Sequence, residues 1–427
     1  MSRRVYAATV GAILAAEGAL FAWNAWRFDW LRGYDAFAND VYATVVGTDL
    51  RLPSAAETSV WHTPPLWFAL AGALRRLAGS AGWERVQRPC ELLEAAYGLA
   101  VCVVALLLAR ALWPERRALH LVALVLTAAS PALVRASAMY HPETLAAALA
   151  GGGLLVCVRG LRTRPTLATG AGAGALFGLG ALTRAWALPM LCAALLALGL
   201  DAWRRGRWSP VVALGTVAAL LVVPWLVNQQ VAHGDAFAFN RPAPTTSLLA
   251  RRPASFYLGP HALHVFDQPV TPAFRNELVP HLYADWWGDW ALTWDTPPPP
   301  APGQLLEEGV VGVRIRQDVV GIVPTLLALA GLPALTLLAV SRRSLAVGLL
   351  PLSTVAVGAA YLLFAVRFPS TDGDTIKATY LLAMLPAAAL GAAFVVDAAR
   401  PPGRGWSIAV GVGLAVLVAV QLPFLVL

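Results

Sequence analysis

The sequence is divided into long apolar segments that are separated by short, arginine-rich loops. An α-helix of about 20 apolar residues is long enough to cross the hydrocarbon core of a bilayer. Of the 427 residues, 58% are hydrophobic and only 13% are charged, whereas about a quarter of a soluble domain is charged. These features exclude a water-soluble globule, a disordered chain and a fibrous repeat. They predict an all-α integral membrane protein with many spans.

We predict about eleven transmembrane helices. They cover residues 5–26, 90–113, 119–134, 144–158, 167–182, 185–200, 210–227, 319–340, 345–364, 380–396 and 406–427. A further apolar stretch, 64–78, is shorter and ends in Arg75 and Arg76. We interpret it as an amphipathic helix that lies in the membrane interface. Two long loops follow, a first one over 27–89 that carries interfacial helices and a second one over 228–318, before span 8.

The arginines indicate the orientation of the chain. With the eleven spans above, every short basic loop lies on the same side of the membrane, and the positive-inside rule assigns that side to the cytoplasm. These loops contain Arg3 and Arg4, Arg110, Arg116 and Arg117, Arg159, Arg162 and Arg164, Arg204, Arg205 and Arg207, Arg342 and Arg343, and Arg400 and Arg404. We therefore predict a plasma (inner) membrane protein with a cytoplasmic N-terminus and two large extracytoplasmic loops.

This topology divides the chain into three parts. We predict an N-terminal transmembrane catalytic module over 1–229, an extracytoplasmic cap loop over 230–317 and C-terminal transmembrane helices over 318–427.

No CxxC or Cys/His cluster is present in the sequence, which supports neither a disulfide framework nor a zinc site.

The first outer loop carries polar residues in positions suited to chemistry. Asp35 follows the membrane exit closely, where partial desolvation can make a carboxylate more basic. His62 precedes Pro64 and Pro65, and proline is favoured at the first turn of a helix. These residues alone allow two interpretations, a reactive site or a solvated loop with a helix cap.

Several short motifs occur along the chain, each at one position, in an order that is typical of a known family. They are Gly33-Tyr34-Asp35, His62-Thr63-Pro64-Pro65-Leu66, Tyr140-His141-Pro142-Glu143, Thr183-Arg184, Tyr283-Ala284-Asp285-Trp286-Trp287-Gly288-Asp289 and Lys377-Ala378-Thr379-Tyr380-Leu381. Together they resemble the GT-C glycosyltransferases, in particular the bacterial branch near the protein O-mannosyltransferases and the lipid A aminoarabinose transferases. The likeness covers most of the chain, and the first-loop motif is its most specific part.

The resemblance implies an inverting glycosyltransferase that uses a polyprenyl-phosphate-linked sugar donor. The acceptor would be a glycan, a lipid or a protein, and the reaction would take place at the extracytoplasmic face. Asp35 matches the catalytic acidic residue of the family, whose carboxylate is expected to act as the general base. This chain has Asp35-Ala36 where many relatives have an Asp-Glu pair. The departure weakens the case for a bound metal, although a divalent cation held by Asp40 and Glu143 stays possible.

We expect twelve further residues to bind substrate: Tyr34, Asp40, His62, Arg88, His141, Glu143, Arg184, Asp285, Trp287, Asp289, Lys377 and Tyr380. Each also has a simpler interpretation. Acidic and histidine side chains can cap helices, arginine and lysine can snorkel to lipid headgroups, and tryptophans gather at membrane interfaces. Lys377 is notable because it is the only lysine in the sequence.

Two other classes of function remain open from the sequence. A transporter or flippase of lipid-linked glycans would need a polar pathway through the bilayer, and the predicted spans hold few ionisable residues. A non-catalytic membrane scaffold would not need Asp35. Binding of nucleic acid is not indicated, since the basic residues are dispersed over membrane loops.

Overall fold

A computed structural model describes residues 2–78, 84–240, 252–270, 277–294, 308–368, 376–400 and 405–427. Within these ranges the chain is helical and contains no strand. The helices are α1 Arg3–Arg27, α2 Ala36–Asp49, α3 Leu66–Ala78, α4 Glu84–Leu112, α5 Arg117–Ala128, α6 Pro131–Ala136, α7 Glu143–Arg162, α8 Leu167–Thr183, α9 Ala187–Arg205, α10 Ser209–His233, α11 Ala254–Leu258, α12 Leu278–Trp287, α13 Glu308–Ser341, α14 Leu345–Arg367, α15 Leu385–Ala398 and α16 Gly405–Leu425. Short 3-10 helices cover Trp30–Arg32, Ala262–Phe266 and Ala378–Met384.

The predicted multi-pass membrane architecture is confirmed. In the described part of the chain, nine helices are long and apolar enough to cross a membrane. Two shorter apolar helices, α5 and α8, coincide with the third and fifth predicted spans. Each of the eleven predicted segments therefore contains a helix, but the count of eleven spans is not confirmed.

Three boundaries differ from the sequence-based expectation. The predicted segment 119–134 is two helices, because the chain breaks between α5 and α6 and the second helix begins at Pro131. Proline lacks a backbone N–H and is favoured at a first helical position, which explains the restart. Helix α10 continues to His233 and α13 begins as early as Glu308, so the second long loop is shorter than predicted.

Small residues allow the central helices to approach one another closely. Helix α8 is rich in glycine and packs against α7 and α10. A Cβ atom at Gly170 would lie 2.0 Å from the carbonyl oxygen of Pro210 at the start of α10. Close packing of this kind, with small residues at the contact, is typical of helices inside a membrane.

The described part of the first long loop contains α2 and α3, and the helix predicted over 64–78 is present as α3. Helices α2 and α3 meet at Gly47 and Gly72, where a Cβ on Gly47 would lie 2.5 Å from the Gly72 carbonyl oxygen. The Trp67 indole on α3 donates to the Glu94 carboxylate on α4 at 2.5 Å. These contacts fix α2, whose N-terminus carries Asp35, against the helix bundle.

The described part of the second long loop lies against the bundle, and we call it the cap. It contains α11, the 3-10 helix Ala262–Phe266 and α12. Arg135 on α6 donates hydrogen bonds to the backbone carbonyls of Asp285 and Trp286, and the Tyr283 hydroxyl donates to the carbonyl of Asp318 on α13 at 2.6 Å. Helix α12 is thereby attached to the bundle on two sides.

Candidate functional site

A cavity of about 590 Å³ opens at the end of the bundle, between the start of α9, the last turns of α14 and Asp35, which directly precedes α2. One end of this cavity is polar and is lined by Asp35, His62, Thr63, Arg184, Lys377 and Tyr380. The rest is largely apolar and follows the groove between α9 and α14. Its α14 wall runs from Ala356 to Arg367, and at the usual helical rise this is about 16 Å.

Asp35 and Lys377 form an ion pair at the polar end. The Lys377 ammonium donates to Asp35 Oδ2 at 2.6 Å, and their side chains are 7% and 26% exposed. Burial alone would raise the pKa of Asp35, but the ion pair with Lys377 holds it well below its usual range. Asp35 is thus an anion at neutral pH and is a weak base as long as Lys377 stays on it.

The backbone at Asp35 is in the left-handed region, with φ 54° and ψ 19°. A residue other than glycine pays for this conformation, so the surrounding structure must hold it. Asp35 occupies the N-cap position of α2, yet its side chain does not cap that helix. The carboxylate instead faces the cavity.

Arg184 is the second cation of the site. Its Nε lies 2.8 Å from Glu143 Oε1, and its terminal nitrogens contact Thr63 Oγ1 at 3.3 Å and His141 Nε2 at 3.1 Å. Burial and the nearby Arg184 and Lys377 charges keep the pKa of His141 well below its usual value. The neutral imidazole can therefore accept the Arg184 N–H through Nε2.

Tyr34 and Asp285 form a hydrogen-bonded layer behind the ion pair. The Tyr34 hydroxyl donates to Asp285 Oδ1 at 2.6 Å, and the Lys377 ammonium lies 5.2 Å from the centre of the Tyr34 ring. Burial, together with the charge of Asp285, raises the pKa of Tyr34 well above its usual range. Tyr34 is therefore a hydrogen-bond donor throughout the physiological range.

Tyr380 completes the polar end. Its ring lies 5.9 Å from both Lys377 and Arg184, measured from the ring centre. The face of an aromatic ring attracts cations. Of the thirteen residues predicted from the sequence, the structure brings Tyr34, Asp35, His62, His141, Glu143, Arg184, Asp285, Lys377 and Tyr380 to this cluster or directly against it.

The two remaining residues of the tryptophan-rich motif lie away from the cavity. Trp287 is 6% exposed, packs between α12 and α13, and donates to Thr325 Oγ1 at 2.9 Å. Asp289 is fully buried and closes a turn by accepting from the backbone N–H groups of Thr293 and Trp294. In this structure neither residue offers a surface to a sugar, and both side chains are packed inside the protein.

Asp40 and Arg88 also lie apart from the cavity. The buried Asp40 carboxylate pairs with Arg75 at 3.1 Å and accepts from Gln87 at 3.0 Å, which joins α2 to α3 and α4. Arg88 donates to the carbonyls of Ala25 and Phe28 at the end of α1. Both residues connect helices in this structure.

The sequence did not identify the apolar wall of the cavity. Trp186, Leu188 and Pro189 at the start of α9 face Ala360 and Phe364 on α14, and Phe237 and Phe239 line the mouth. Apolar residues inside membrane helices look alike in a sequence whether they line a cavity or pack a core. Arg135 was also missed, although an arginine near the end of an apolar segment is an uncommon and visible feature.

The described part of the chain contains no cluster of side chains suited to a cation. Among the described residues, no group of three or more His, Cys, Asp or Glu side chains could hold a metal ion. Asp35 and Glu143 already pair with Lys377 and Arg184, and Asp40 faces Arg75 on the far side of α2. The hypothesis of a cation shared by Asp40 and Glu143 is therefore not supported by the geometry.

Comparison with known proteins gives one family match. Residues 62–227, less than half of the chain, match the family described as dolichyl-phosphate-mannose-protein mannosyltransferase. The matched range includes His62, His141, Glu143 and Arg184 and ends before the cap. No curated protein sequence matches the chain.

Solved structures match over nearly the whole chain. ArnT from Cupriavidus metallidurans in the apo state superposes with a TM-score of 0.55 at 15% identity, over 97% of this chain and 64% of that one. The Archaeoglobus fulgidus oligosaccharyltransferase tethered to an acceptor peptide gives a TM-score of 0.55 at 15% identity, over 97% and 54%. AglB from the same organism, in complex with an inhibitory peptide and a dolichol-phosphate, gives 0.54 at 16% identity, over 97% and 54%.

These likenesses show the fold of the chain. The chain has the fold of the GT-C superfamily of membrane glycosyltransferases, as its motifs indicated. The chain spans 64% or less of the length of each of the structures named here.

Proposed function

We propose that this protein is an inverting glycosyltransferase that moves a sugar from a polyprenyl-phosphate-linked donor to an acceptor hydroxyl. The observation that carries the proposal is a cavity that joins Asp35, Lys377 and Arg184 to an apolar groove between α9 and α14. An amphiphilic donor needs this combination, since it brings an anionic phosphate and a long hydrocarbon chain to the same site. The family match and the GT-C fold agree with this class of reaction.

The two cations suit the phosphate of the donor. A lipid phosphate is anionic and becomes more so as the leaving group separates, so positive side chains stabilise it most in the transition state. Lys377 and Arg184 are 6% and 8% exposed, and such partly desolvated cations form strong charge-assisted hydrogen bonds with phosphate oxygens. The lipid chain would then extend along the groove past Ala360 and Leu363.

Asp35 would act as the general base. As the acceptor oxygen bonds to the anomeric carbon, its proton passes to the Asp35 carboxylate and the bond from the anomeric carbon to the phosphate oxygen breaks. The leaving polyprenyl phosphate keeps that electron pair. Because attack and departure occur on opposite faces of the sugar, the anomeric configuration inverts.

The ion pair between Asp35 and Lys377 suggests that donor binding precedes proton transfer to Asp35. When Lys377 also donates to the donor phosphate, its contact with Asp35 weakens, and the pKa of the carboxylate rises because the effect of burial is then opposed less strongly. A base with a pKa nearer to neutrality accepts a proton from a hydroxyl more readily. Asp35 would thus become a more effective base once the donor has bound.

The reaction is proposed to take place outside the cytoplasm. Asp35, His141, Arg184 and Lys377 lie together at one end of the bundle. Arg204 and Arg205 lie at the far end of α9, about 27 Å away along that helix. The positive-inside rule assigns the arginine-rich end to the cytoplasm and the cavity to the opposite face.

A reconstituted assay tests the proposal. Purified protein in lipid vesicles is incubated with a panel of polyprenyl-phosphate sugars and candidate acceptors, and both free polyprenyl phosphate and transferred sugar are measured. We expect release and transfer together with wild-type protein and neither with Asp35→Asn. Movement of the lipid-linked sugar between leaflets without release would indicate a flippase. No turnover with any donor by folded, correctly inserted protein would overturn the proposal.

A further inference from the structure

One buried carboxylate contacts a chain neighbour of each member of the Asp35–Lys377 ion pair. Asp285 on α12 accepts from the Tyr34 hydroxyl through Oδ1 at 2.6 Å and from the Ala378 backbone N–H through Oδ2 at 2.7 Å. Tyr34 directly precedes Asp35, and Ala378 directly follows Lys377. Asp285 is therefore tied to the chain neighbours of two residues that are 342 positions apart in the sequence.

We propose that Asp285 is a positioning residue that holds Asp35 and Lys377 at hydrogen-bond distance from one another. The sequence suggested a substrate-binding role for Asp285. That role has little support here, because the residue is 2% exposed, both carboxylate oxygens are occupied, and it does not line the cavity.

Both segments that Asp285 contacts need an external support. Asp35 has a left-handed backbone conformation that is unfavourable for an aspartate, and the bond to Tyr34 fixes the adjacent residue. Ala378 begins a 3-10 helix, and the first N–H groups of a helix have no acceptor within it. Asp285 supplies that acceptor from another element and so fixes the segment that carries Lys377.

The support is itself rigid. Arg135 on α6 is 3% exposed and donates to the backbone carbonyl of Asp285, so α12 cannot shift without breaking this contact. A carboxylate is well suited to the role, since it can accept two hydrogen bonds in two directions at once. An asparagine at this position could accept from Tyr34, but its NH₂ group could not accept from Ala378.

The single lysine of the chain allows a direct test. With 13C- and 15N-labelled lysine incorporated, NMR of the full chain in detergent micelles or nanodiscs shows one lysine side chain, that of Lys377. The Asp35→Asn protein gives the signal of Lys377 in the absence of the Asp35 carboxylate. We expect Asp285→Asn to shift the Lys377 signal at least halfway from the wild-type position toward that reference.

Glu277→Gln is the matched control. Glu277 precedes α12 and is 7% exposed, and its contacts with His261 lie within the cap. The same carboxylate-to-amide change there should leave the Lys377 signal at its wild-type position. If Asp285→Asn does not fold, Tyr34→Phe removes one of the two hydrogen bonds and should move the signal in the same direction. An unchanged Lys377 signal in folded Asp285→Asn or Tyr34→Phe protein would overturn the proposal.

The kinetic consequence rests on the proposed function. Displacement of a catalytic pair by about 1 Å can lower the rate by about a hundredfold, so Asp285→Asn should reduce kcat strongly and change the donor KM less. The acid limb of kcat/KM should also move to higher pH, since Asp35 loses part of its contact with Lys377, whereas loss of cap packing alone would not move it. If wild-type protein turns over no lipid-linked sugar, the proposed function fails while the lysine signal still decides the role of Asp285.

Discussion

At the scale of single residues, the site consists of carboxylates and cations that neutralise one another. Asp35 pairs with Lys377 and Glu143 pairs with Arg184, in a region where all four side chains are largely removed from solvent. Buried pairs of this kind contribute little net stability but cost several kcal/mol when one partner is removed. Under the proposed function these pairs respond to an added charge, which the donor phosphate supplies.

Replacement of Asp35 should stop the chemical step. Asp35→Asn keeps the shape of the side chain but cannot accept the proton of the acceptor, and loss of a general base typically costs about 10²–10⁴-fold in rate. We expect kcat to fall by this amount while binding of the lipid donor survives. Single-turnover kinetics together with a donor-binding assay measure the two effects separately.

Asp29→Asn is the control for this substitution. Asp29 lies in the same loop and caps the short helix Trp30–Arg32 by accepting from the Leu31 N–H at 3.1 Å. Asparagine is an equally good cap, so turnover should stay near the wild-type value. Wild-type-like turnover by Asp35→Asn would remove Asp35 as the base.

Lys377 should control both donor affinity and the pH dependence. A hydrogen bond to a charged group is typically worth about 1.5–3 kcal/mol, so Lys377→Ala should weaken the donor about ten- to a hundredfold and the acceptor less. Because Lys377 lowers the pKa of Asp35, its removal raises that pKa. The acid limb of kcat/KM should therefore move to higher pH.

Lys377→Arg keeps the positive charge and should recover part of both effects. A pH series of kcat/KM for the three proteins is the measurement. If Lys377→Ala changes neither donor affinity nor the acid limb, Lys377 is only an anchor at the membrane surface.

The sequence predicted individual polar residues better than their roles. Asp35, Arg184 and Lys377 could be found because charged side chains are rare in an apolar chain and occur in short motifs. Asp40 and Asp289 are also charged residues in short motifs or loops of the apolar chain. Asp40, however, pairs with Arg75, and Asp289 closes a turn. Which partner a carboxylate meets depends on tertiary contacts between distant segments, and residue type alone does not encode those contacts.

At the scale of elements, the groove between α9 and α14 is the feature that the sequence could not predict. Both helices were expected as spans, and their apolar residues fit that expectation equally well with or without a groove. The width of the groove depends on side-chain volume, since α14 presents the small residues Ala356 and Ala360 to it. The tryptophans of the cap show the opposite error. The sequence predicted a substrate-binding role for Trp287, but Trp287 and Trp290 are buried inside the protein.

Filling the groove should exclude the lipid chain of the donor. Ala360→Phe adds a ring to the cavity wall, and overpacking typically costs about 1–3 kcal/mol, which corresponds to about a 5- to 150-fold increase in donor KM. Leu362→Phe is the control, because Leu362 lies on the same helix, is 48% exposed and does not line the cavity. The assay compares donors with long and short lipid chains, and the defect of Ala360→Phe should be smaller with the short chain. Equal donor KM values for the two variants would show that the lipid does not occupy this groove.

At the scale of the whole molecule, the series of long apolar segments was enough to predict the helical membrane architecture. Eleven predicted segments all contain helices, because the need to satisfy backbone hydrogen bonds in lipid leaves few alternatives to a helix. The errors lie at helix ends, where Pro131 restarts a helix and α13 begins before its apolar part. The division into an N-terminal module, a cap and C-terminal helices stays a prediction.

The orientation of the molecule in its membrane can be tested with single cysteines. The structure improves the choice of positions, since Asp289 is fully buried and would not react, whereas the Asp267 side chain is 61% exposed on the cap. In a background without the four native cysteines, we expect an impermeant maleimide to label Asp267→Cys in intact cells. Arg207→Cys, at the opposite end of α9, should be labelled only after the membrane is permeabilised. Labelling of Arg207→Cys but not Asp267→Cys in intact cells would reverse the orientation and place the cavity on the cytoplasmic face.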